Sequence, residues 1–374
     1  MMQYCTSCVL SNMRPNLFIG EDGVCDACHS WGKKQNGIDW QAREKDFVQL
    51  AAHIKKTAQS AWDCVIPVSG GKDSTWQVAT ALEYGLKPLC VTWRSPARNA
   101  LGQRNLDNLI ALGVDHMDFS VNPEIEKILS IKTLRAKGSV AIPMHMALFA
   151  LPMRVALNFH IPLVLWGESS GIEYGGAVGD GKYMDNEWLQ KFGVTQGTTA
   201  HDWVDDDLTP SDLYPYLWPS PEEMKAGSVT ATFLGWFFPW DPVATATKSR
   251  ALGLQSSEEA LIGYYNFSDI DDDFIIPVHH WLKWYKFGFT RTWDNLSLEI
   301  RAGRMQRDEA ITLLRDLKSE EPKQAIDQYC AWSGLSHEEF HSIIATFRNT
   351  DIWACYEGVW KIENFLLKDW DWRQ

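Results

Sequence analysis

Between residues 64 and 254, short apolar runs alternate with stretches of helical period. "CVIPV" at 64–68 leads into a helical pattern over 74–84, "PLCVTW" at 88–93 into 101–112, and "HMDFSV" at 116–121 into 124–136. A further helical stretch over 144–159 precedes "IPLVLW" at 161–166, and "TATFLGWFF" at 230–238 runs on toward Lys248 and Gly253. This alternation specifies an α/β fold: parallel neighbours need long crossovers, and helical crossovers cover both faces of the sheet. In such sheets ligands bind at the carboxyl ends of the strands.

The flanks read differently. Residues 1–36 carry four of the eight cysteines and little apolar periodicity, so they form a small module without a core of its own. From Asp39, an N-cap, Trp40, Phe47, Leu50, Ala51 and Ile54 predict a linking helix. That places the α/β domain at 37–254. Residues 255–374 are expected to be helical, with Ser336 and Glu339 as a capping box and Ala310, Leu313, Leu314 and Leu317 at helical spacing. The acidic clusters at 205–207 and 269–273 read as solvated loops.

Cys5-x2-Cys8 and Cys25-x2-Cys28, sixteen residues apart, have the spacing of two knuckles around one tetrahedral zinc ion. Such a closed site is structural. His29 reads as a neighbour of it. A disulfide pair is the competing reading, but "MMQYCTSCVL" carries no export signal, so a reducing, cytoplasmic location is expected. The most apolar segment, 139–168, is interrupted by Pro143, Pro152, Arg154 and Pro162, so no membrane span is expected. With 35 Lys and Arg against 48 Asp and Glu, the net charge of −13 disfavours nucleic acid as the main partner. The nineteen Trp residues are read mostly as core.

At the end of "CVIPV", Ser69-Gly-Gly-Lys-Asp-Ser74 opens a helix. It is neither G-x-x-x-x-G-K-[ST] nor G-x-G-x-x-G. Strand, "SGGKDS" and helix together resemble the pyrophosphate loop (PP-loop) of the N-type ATP pyrophosphatases, whose fold is of the adenine nucleotide alpha hydrolase type. The resemblance implies cleavage of ATP between its α and β phosphates. Gly70 and Gly71 would let backbone N–H groups approach pyrophosphate, Ser69 and Ser74 would add hydroxyls, and the helix would present its positive end. Asp73 would hold Mg2+, with Lys72 adding charge.

The combination of "CTSC…CDAC", "SGGKDS", "LWGESSGIEYGG" and "WYKFGFTRTWDNLSLEIRAGRMQRDEAI" is similar to the N-acetyl sugar amidotransferases of bacterial surface-polysaccharide pathways, among them lipopolysaccharide O-antigen biosynthesis. That resemblance covers nearly the whole chain. It implies that an acetamido group on a nucleotide-linked or free acidic sugar becomes an acetamidine: the amide oxygen attacks the α-phosphate, and ammonia displaces AMP. Glu168, at the end of "IPLVLW", is placed to bind Mg2+ or take a proton from ammonia. Glu173 and Tyr174 lie in a loop suited to substrate. Trp93 and Arg94 end the second strand near adenine or substrate, and Lys248 resembles a late pyrophosphate-binding lysine. Lys283, Lys286, Arg291, Arg301 and Arg304 form a basic cluster fit for a carboxylate or diphosphate.

No cysteine sits in a nucleophile-like turn, so the chain is expected to make no ammonia itself. The resemblance implies a separate glutaminase and a cyclase-like subunit that channels ammonia. Two alternatives remain at this stage: a tRNA-modifying enzyme of the same superfamily, which the net charge opposes, and a non-catalytic zinc-ribbon adaptor, which intact "SGGKDS" and Glu168 oppose.

Overall fold

A computed structural model describes residues 2–176, 181–316 and 321–372. Its centre is a five-stranded, all-parallel sheet of β1 (Cys64–Pro67), β2 (Pro88–Trp93), β3 (Asp115–Phe119), β4 (Leu163–Trp166) and β5 (Thr230–Phe233), in the order β3-β2-β1-β4-β5. Each apolar run of the sequence became a strand. The chain leaves β1 toward β2 on one side and returns to β4 on the other, so the order reverses between β1 and β4. That switch point opens a crevice at the strands' carboxyl ends.

Alternation along the strands explains the two layers. Cys64, Ile66, Cys90, Leu163 and Leu165 pack on one face with Phe47, Ala51 and Ile54 of helix Trp40–Thr57 and with Val78 and Ala81 of helix Lys72–Glu83. Val65, Leu89, Val91 and Val164 point the other way, onto Phe149 and Met153 of helix Ile142–Asn158. Successive strand side chains face opposite sides, so continuous apolar runs are what a sheet covered twice requires. Beyond β5, residues 182–184 pair with the edge through a Tyr183–Thr232 bridge and the Phe233 N–H donation to the Lys182 carbonyl. That pairing covers the open edge.

The expected caps are present. Asp39 accepts from the Ala42 N–H at 3.0 Å, and Ser336 and Glu339 form the reciprocal box. Each is worth about 1 kcal/mol to its helix. The C-terminal part is mostly helical, with helices Ile275–Phe287, Arg291–Arg301, Arg307–Asp316, Lys323–Ser333 and His337–Ala345, but it ends in an antiparallel hairpin of β6 (Trp353–Tyr356) and β7 (Val359–Ile362). The β6–β7 turn uses Glu357 and Gly358 at positive φ, a two-residue hairpin turn that helical period could not disclose. Leu317 lies outside the described residues.

The cysteine module shares a core with this C-terminal part. Val9, Leu10 and Leu17 pack with Trp284, Trp293, Leu296, Ile352 and Trp353. A module too small for its own interior has borrowed one. No helix among the described residues is long and apolar enough to cross a membrane.

Candidate active site

A cavity of about 680 Å3 opens at the carboxyl ends of β1, β2, β4 and β5. Ser69, Asp73, Ser74 and Gln77 line it after β1, Trp93 and Ser95 after β2, and Trp166, Gly167 and Glu168 after β4. The turn after β1 begins its helix at Lys72, two residues earlier than expected. Gly70 takes φ +89°, and Gly71 is the N-cap. In the loop, the Gly70 N–H is bonded to Ser74 Oγ at 3.2 Å and the Gly71 N–H to Ser69 Oγ at 3.3 Å, so hydroxyls hold the amides where an anion would exchange with them.

Asp73 is held from two sides. Its Oδ1 accepts from Trp240 Nε1 at 2.8 Å, and Oδ2 accepts from Lys72 Nζ. Glu168 stands opposite, since a Cβ at the adjacent Gly167 would lie 3.9 Å from the Asp73 Cβ. Burial, then the charge of Asp73, push the Glu168 carboxyl up to about 7, with Lys72 opposing. A carboxyl that resists ionising beside the charge of a second carboxylate is an arrangement a divalent cation relieves. Asp73 and Glu168 therefore fit Mg2+, and the loop amides and helix start fit a phosphate.

The opposite wall comes from the C-terminal part. His279, His280, Lys283 and Lys286 project from helix Ile275–Phe287, Arg291 and Asp294 from the next helix, His145 from helix Ile142–Asn158, and Arg14 from the cysteine module. Arg14 is committed to Asp294 at 2.7 Å, and Arg291 to Asp269 at 2.9 Å. No ion pair holds the Lys283 ammonium among the described residues. Burial lowers Lys283 to about 8, with Asp294 opposing, and lowers Lys286 to about 8. Burial, and then Lys283, hold His279 and His280 well below the ordinary histidine range. This wall offers cationic and neutral donors to an anion. A third wall is apolar and aromatic, with Met144, Phe149, Met184, Trp188 and Phe233.

The acidic cluster at 269–273 is not a solvated loop. Asp269, Asp271 and Asp272 line the cavity because residues 97–99, after β2, pair with residues 271–273: the Asn99 N–H donates to the Asp271 carbonyl and the Asp273 N–H to the Ala97 carbonyl. Burial, then Asp272, push Asp271 up to about 6. The cluster at 205–207 is exposed as expected, with Asp205 and Asp207 on Lys132.

The structure sorts the other candidates. Trp93, Tyr174, Lys286 and Arg291 line the cavity. Glu173 instead forms a buried pair with Lys34 at 2.7 Å. Lys248 pairs with Glu83 at 3.0 Å outside the cavity, and Arg94 is exposed, 3.7 Å from Asp118. Arg304 bonds Glu299 and Asp241. Arg301 donates to the Glu173 carbonyl at 3.1 Å and stands against the cysteine cluster, where the sulfurs of Cys8, Cys28 and Cys25 favour its charge. Arg14, Arg98, His145, His279 and His280 line the cavity although no motif marks them. Their approach is set by tertiary packing.

Cys5, Cys8, Cys25 and Cys28 converge, with every sulfur within 4.8 Å of the others. Thiolates about 2.3 Å from a tetrahedral zinc ion stand about 3.8 Å apart, and Cys8 Sγ lies 3.8 Å from Cys25 Sγ. The N–H groups of Ser7, Cys8 and Cys25 donate to Cys5 Sγ at 3.4, 3.4 and 3.2 Å. The cluster fits zinc. His29 instead faces Asp22 at 3.0 Å.

Residues 263–366 match the family described as LPS biosynthesis protein WbpG-like, C-terminal domain. The segment 284–311 that carries the resemblance in sequence falls inside the match. No curated protein matches the chain. Among solved structures, an NMN synthetase from Francisella tularensis is similar at 15% identity, covering 81% of this chain and 96% of its own, with a TM-score of 0.30. An NH3-dependent NAD synthetase from Campylobacter jejuni subsp. jejuni NCTC 11168, in complex with the nitrate ion, is similar at 16% identity over 51% of this chain and 96% of its own, with a TM-score of 0.31. Likeness at that level carries nothing about this chain's chemistry.

Proposed function

We propose that this protein is an ATP-dependent amidotransferase that converts the acetamido group of a bacterial surface sugar into an acetamidine. The observation that carries the reading is one shared cavity: the "SGGKDS" loop lines it from one side, and residues 269–294, within the WbpG-like segment, line it from the other. A nucleotide site and a family-specific wall meet where one reaction would join their ligands.

In this reading the loop amides at 69–74 take the β and γ phosphates of ATP, and Trp93 stands beside the nucleotide. Asp73 and Glu168 would hold Mg2+, which would neutralise charge on the departing pyrophosphate. The amide oxygen bonds to the α-phosphorus as the α–β bridge breaks, and pyrophosphate leaves with the electron pair. Ammonia then attacks the imidoyl carbon, the oxygen departs with AMP, and Glu168 accepts a proton from the nitrogen. An amide carbonyl is a poor electrophile, and this use of ATP turns its oxygen into a leaving group.

Lys283, Lys286 and Arg291 would hold the sugar's carboxylate or a linked diphosphate. Ammonia would come from a separate glutaminase through a cyclase-like subunit. Zinc at the four cysteines would be structural.

The test is incubation of the purified protein with Mg2+, ATP, ammonium and a panel of di-N-acetylated uronic acid nucleotides and nonulosonic acids, with products identified by mass spectrometry. AMP and pyrophosphate appearing with one sugar, whose acetamido oxygen has become NH, is the expected result. ADP, or AMP released only with tRNA, would overturn it.

A further inference from the structure

We propose that Lys34 and Trp240 are positioning residues for Asp73, so that the four-cysteine module sets the metal-holding carboxylate of the nucleotide loop. The inference rests on the reading that Asp73 holds a divalent cation with ATP.

Helix Asp26–Asn36 begins at the second cysteine pair: Cys25 is its N-cap, and Cys28 lies in its first turn. Lys34, near its other end, is 4% exposed. An ammonium has three donors, and here they meet Glu173 Oε1 at 2.7 Å, Glu173 Oε2 at 2.9 Å and the Trp240 carbonyl at 2.7 Å. It also stands 4.8 Å from the Trp31 ring centroid. A buried lysine so fully committed fixes the Trp240 backbone.

Trp240 passes that restraint on. Its indole is 2% exposed, and Nε1 donates to Asp73 Oδ1 at 2.8 Å. The other oxygen, Oδ2, accepts from Lys72 Nζ, which lies 5.6 Å from the same indole's centroid. Both oxygens of Asp73 are thus oriented by Trp240 and the lysine lying on it, and each keeps lone pairs for a cation. At its far end the module is tied independently. Arg301, whose charge faces the Cys8, Cys28 and Cys25 sulfurs, donates to the Glu173 carbonyl at 3.1 Å, and Arg307 donates to the Cys8 carbonyl at 3.0 Å. A shift of the cysteine cluster would therefore reach Asp73 through Lys34 and Trp240, although the module contributes no ligand to the phosphate loop.

A clamp that only stabilised the fold would leave cation affinity alone once the protein is folded. The experiment titrates Mn2+ into full-length, zinc-loaded protein by electron paramagnetic resonance, with and without α,β-methylene-ATP, for wild type, Trp240→Phe, Lys34→Met and the double variant. Trp240→Phe keeps an aromatic ring at the position and deletes the N–H together with the fused pyrrole ring. Loss of one charge-assisted hydrogen bond is expected to weaken Mn2+ binding in the nucleotide complex about tenfold, with metal-free nucleotide affinity unchanged. Lys34→Met should weaken it similarly, and the double variant no more than the worse single one, because the two act in series. Wild-type Mn2+ affinity in Trp240→Phe, or additive losses in the double variant, would overturn the inference. Should Lys34→Met not fold, Trp240→Phe decides alone. Absence of Mn2+ binding by wild-type protein with nucleotide would overturn the ATP reading itself, and this inference with it.

Discussion

Asp73 and Glu168 face one cavity from the ends of adjacent strands, and the charge of the first adds to burial in lifting the second to about 7. Glu168 is useful as a carboxylate, whether it holds a cation or takes a proton, so free enzyme gains activity as this group ionises. On the opposite wall, Lys283 and Lys286 stand at about 8 and are useful charged. The expected dependence of kcat/KM on pH is a bell that rises through about 7 and falls above about 8. Glu168→Gln should remove the rising limb and lower the rate about 100- to 10,000-fold. Rates of AMP release from about pH 5 to 10 check both. A rising limb that persists in Glu168→Gln would assign it to another group.

Lysines inside and outside the cavity should separate by kinetic constant. Lys283→Met removes an uncommitted cation from the substrate wall and is expected to raise the KM for the sugar about 10- to 100-fold, leaving the KM for ATP close to wild type. Lys248→Ala breaks an exposed pair with Glu83 and should change either constant by less than about twofold, because such pairs contribute little. Steady-state kinetics with each substrate varied in turn distinguish the two. A large loss of ATP affinity in Lys248→Ala would return that residue to the nucleotide site.

The strands and the phosphate loop were legible because each is a local pattern: continuous apolar runs need a sheet covered twice, and Gly70 to Ser74 follow one of them directly. Placement across the fold was not. Glu173 is next to Tyr174 in sequence, yet the Tyr174 side chain lines the cavity while Glu173 turns back to Lys34, 139 residues earlier. Asp271 read as solvated because acidic runs usually are. It is drawn to the cavity by pairing with Asn99, a partner 172 residues distant that no period announces. His279 and His280 lie in the same helix as Lys283, in a sequence that signals burial, and only the arrival of His145 from helix Ile142–Asn158 completes the wall.

Zinc removal tests the shared core. The cysteine module packs Val9 and Leu10 against Trp293 and Trp353 of the C-terminal part, so its loss should expose apolar surface well beyond residue 36. Cys8→Ser is expected to lower bound zinc, measured by mass spectrometry of the metal, and to destabilise the protein by several kcal/mol, seen as a lower Tm. Full zinc loading at wild-type Tm would mean that the cluster does not hold the ion through Cys8.

The two glycines of the phosphate loop should separate stability from binding. Gly70 has φ +89°, and a Cβ there would lie 2.4 Å from the Leu106 nitrogen and 2.8 Å from the Asn105 carbonyl carbon, backbone atoms of helix Ala100–Ile110 that cannot rotate away. Gly70→Ala is therefore expected to cost about 2–4 kcal/mol, from a left-handed backbone and a steric conflict together. Gly71 has φ −70°, and its nearest neighbour would be the Ser69 hydroxyl at 3.3 Å, which can swing aside. Gly71→Ala should keep wild-type stability while a methyl group now stands where pyrophosphate would approach the backbone, weakening ATP binding about tenfold or more. Thermal melts and calorimetric titration with α,β-methylene-ATP measure the two effects separately. If Gly71→Ala binds nucleotide as the wild type does, the loop does not bring its backbone to the phosphates at that position.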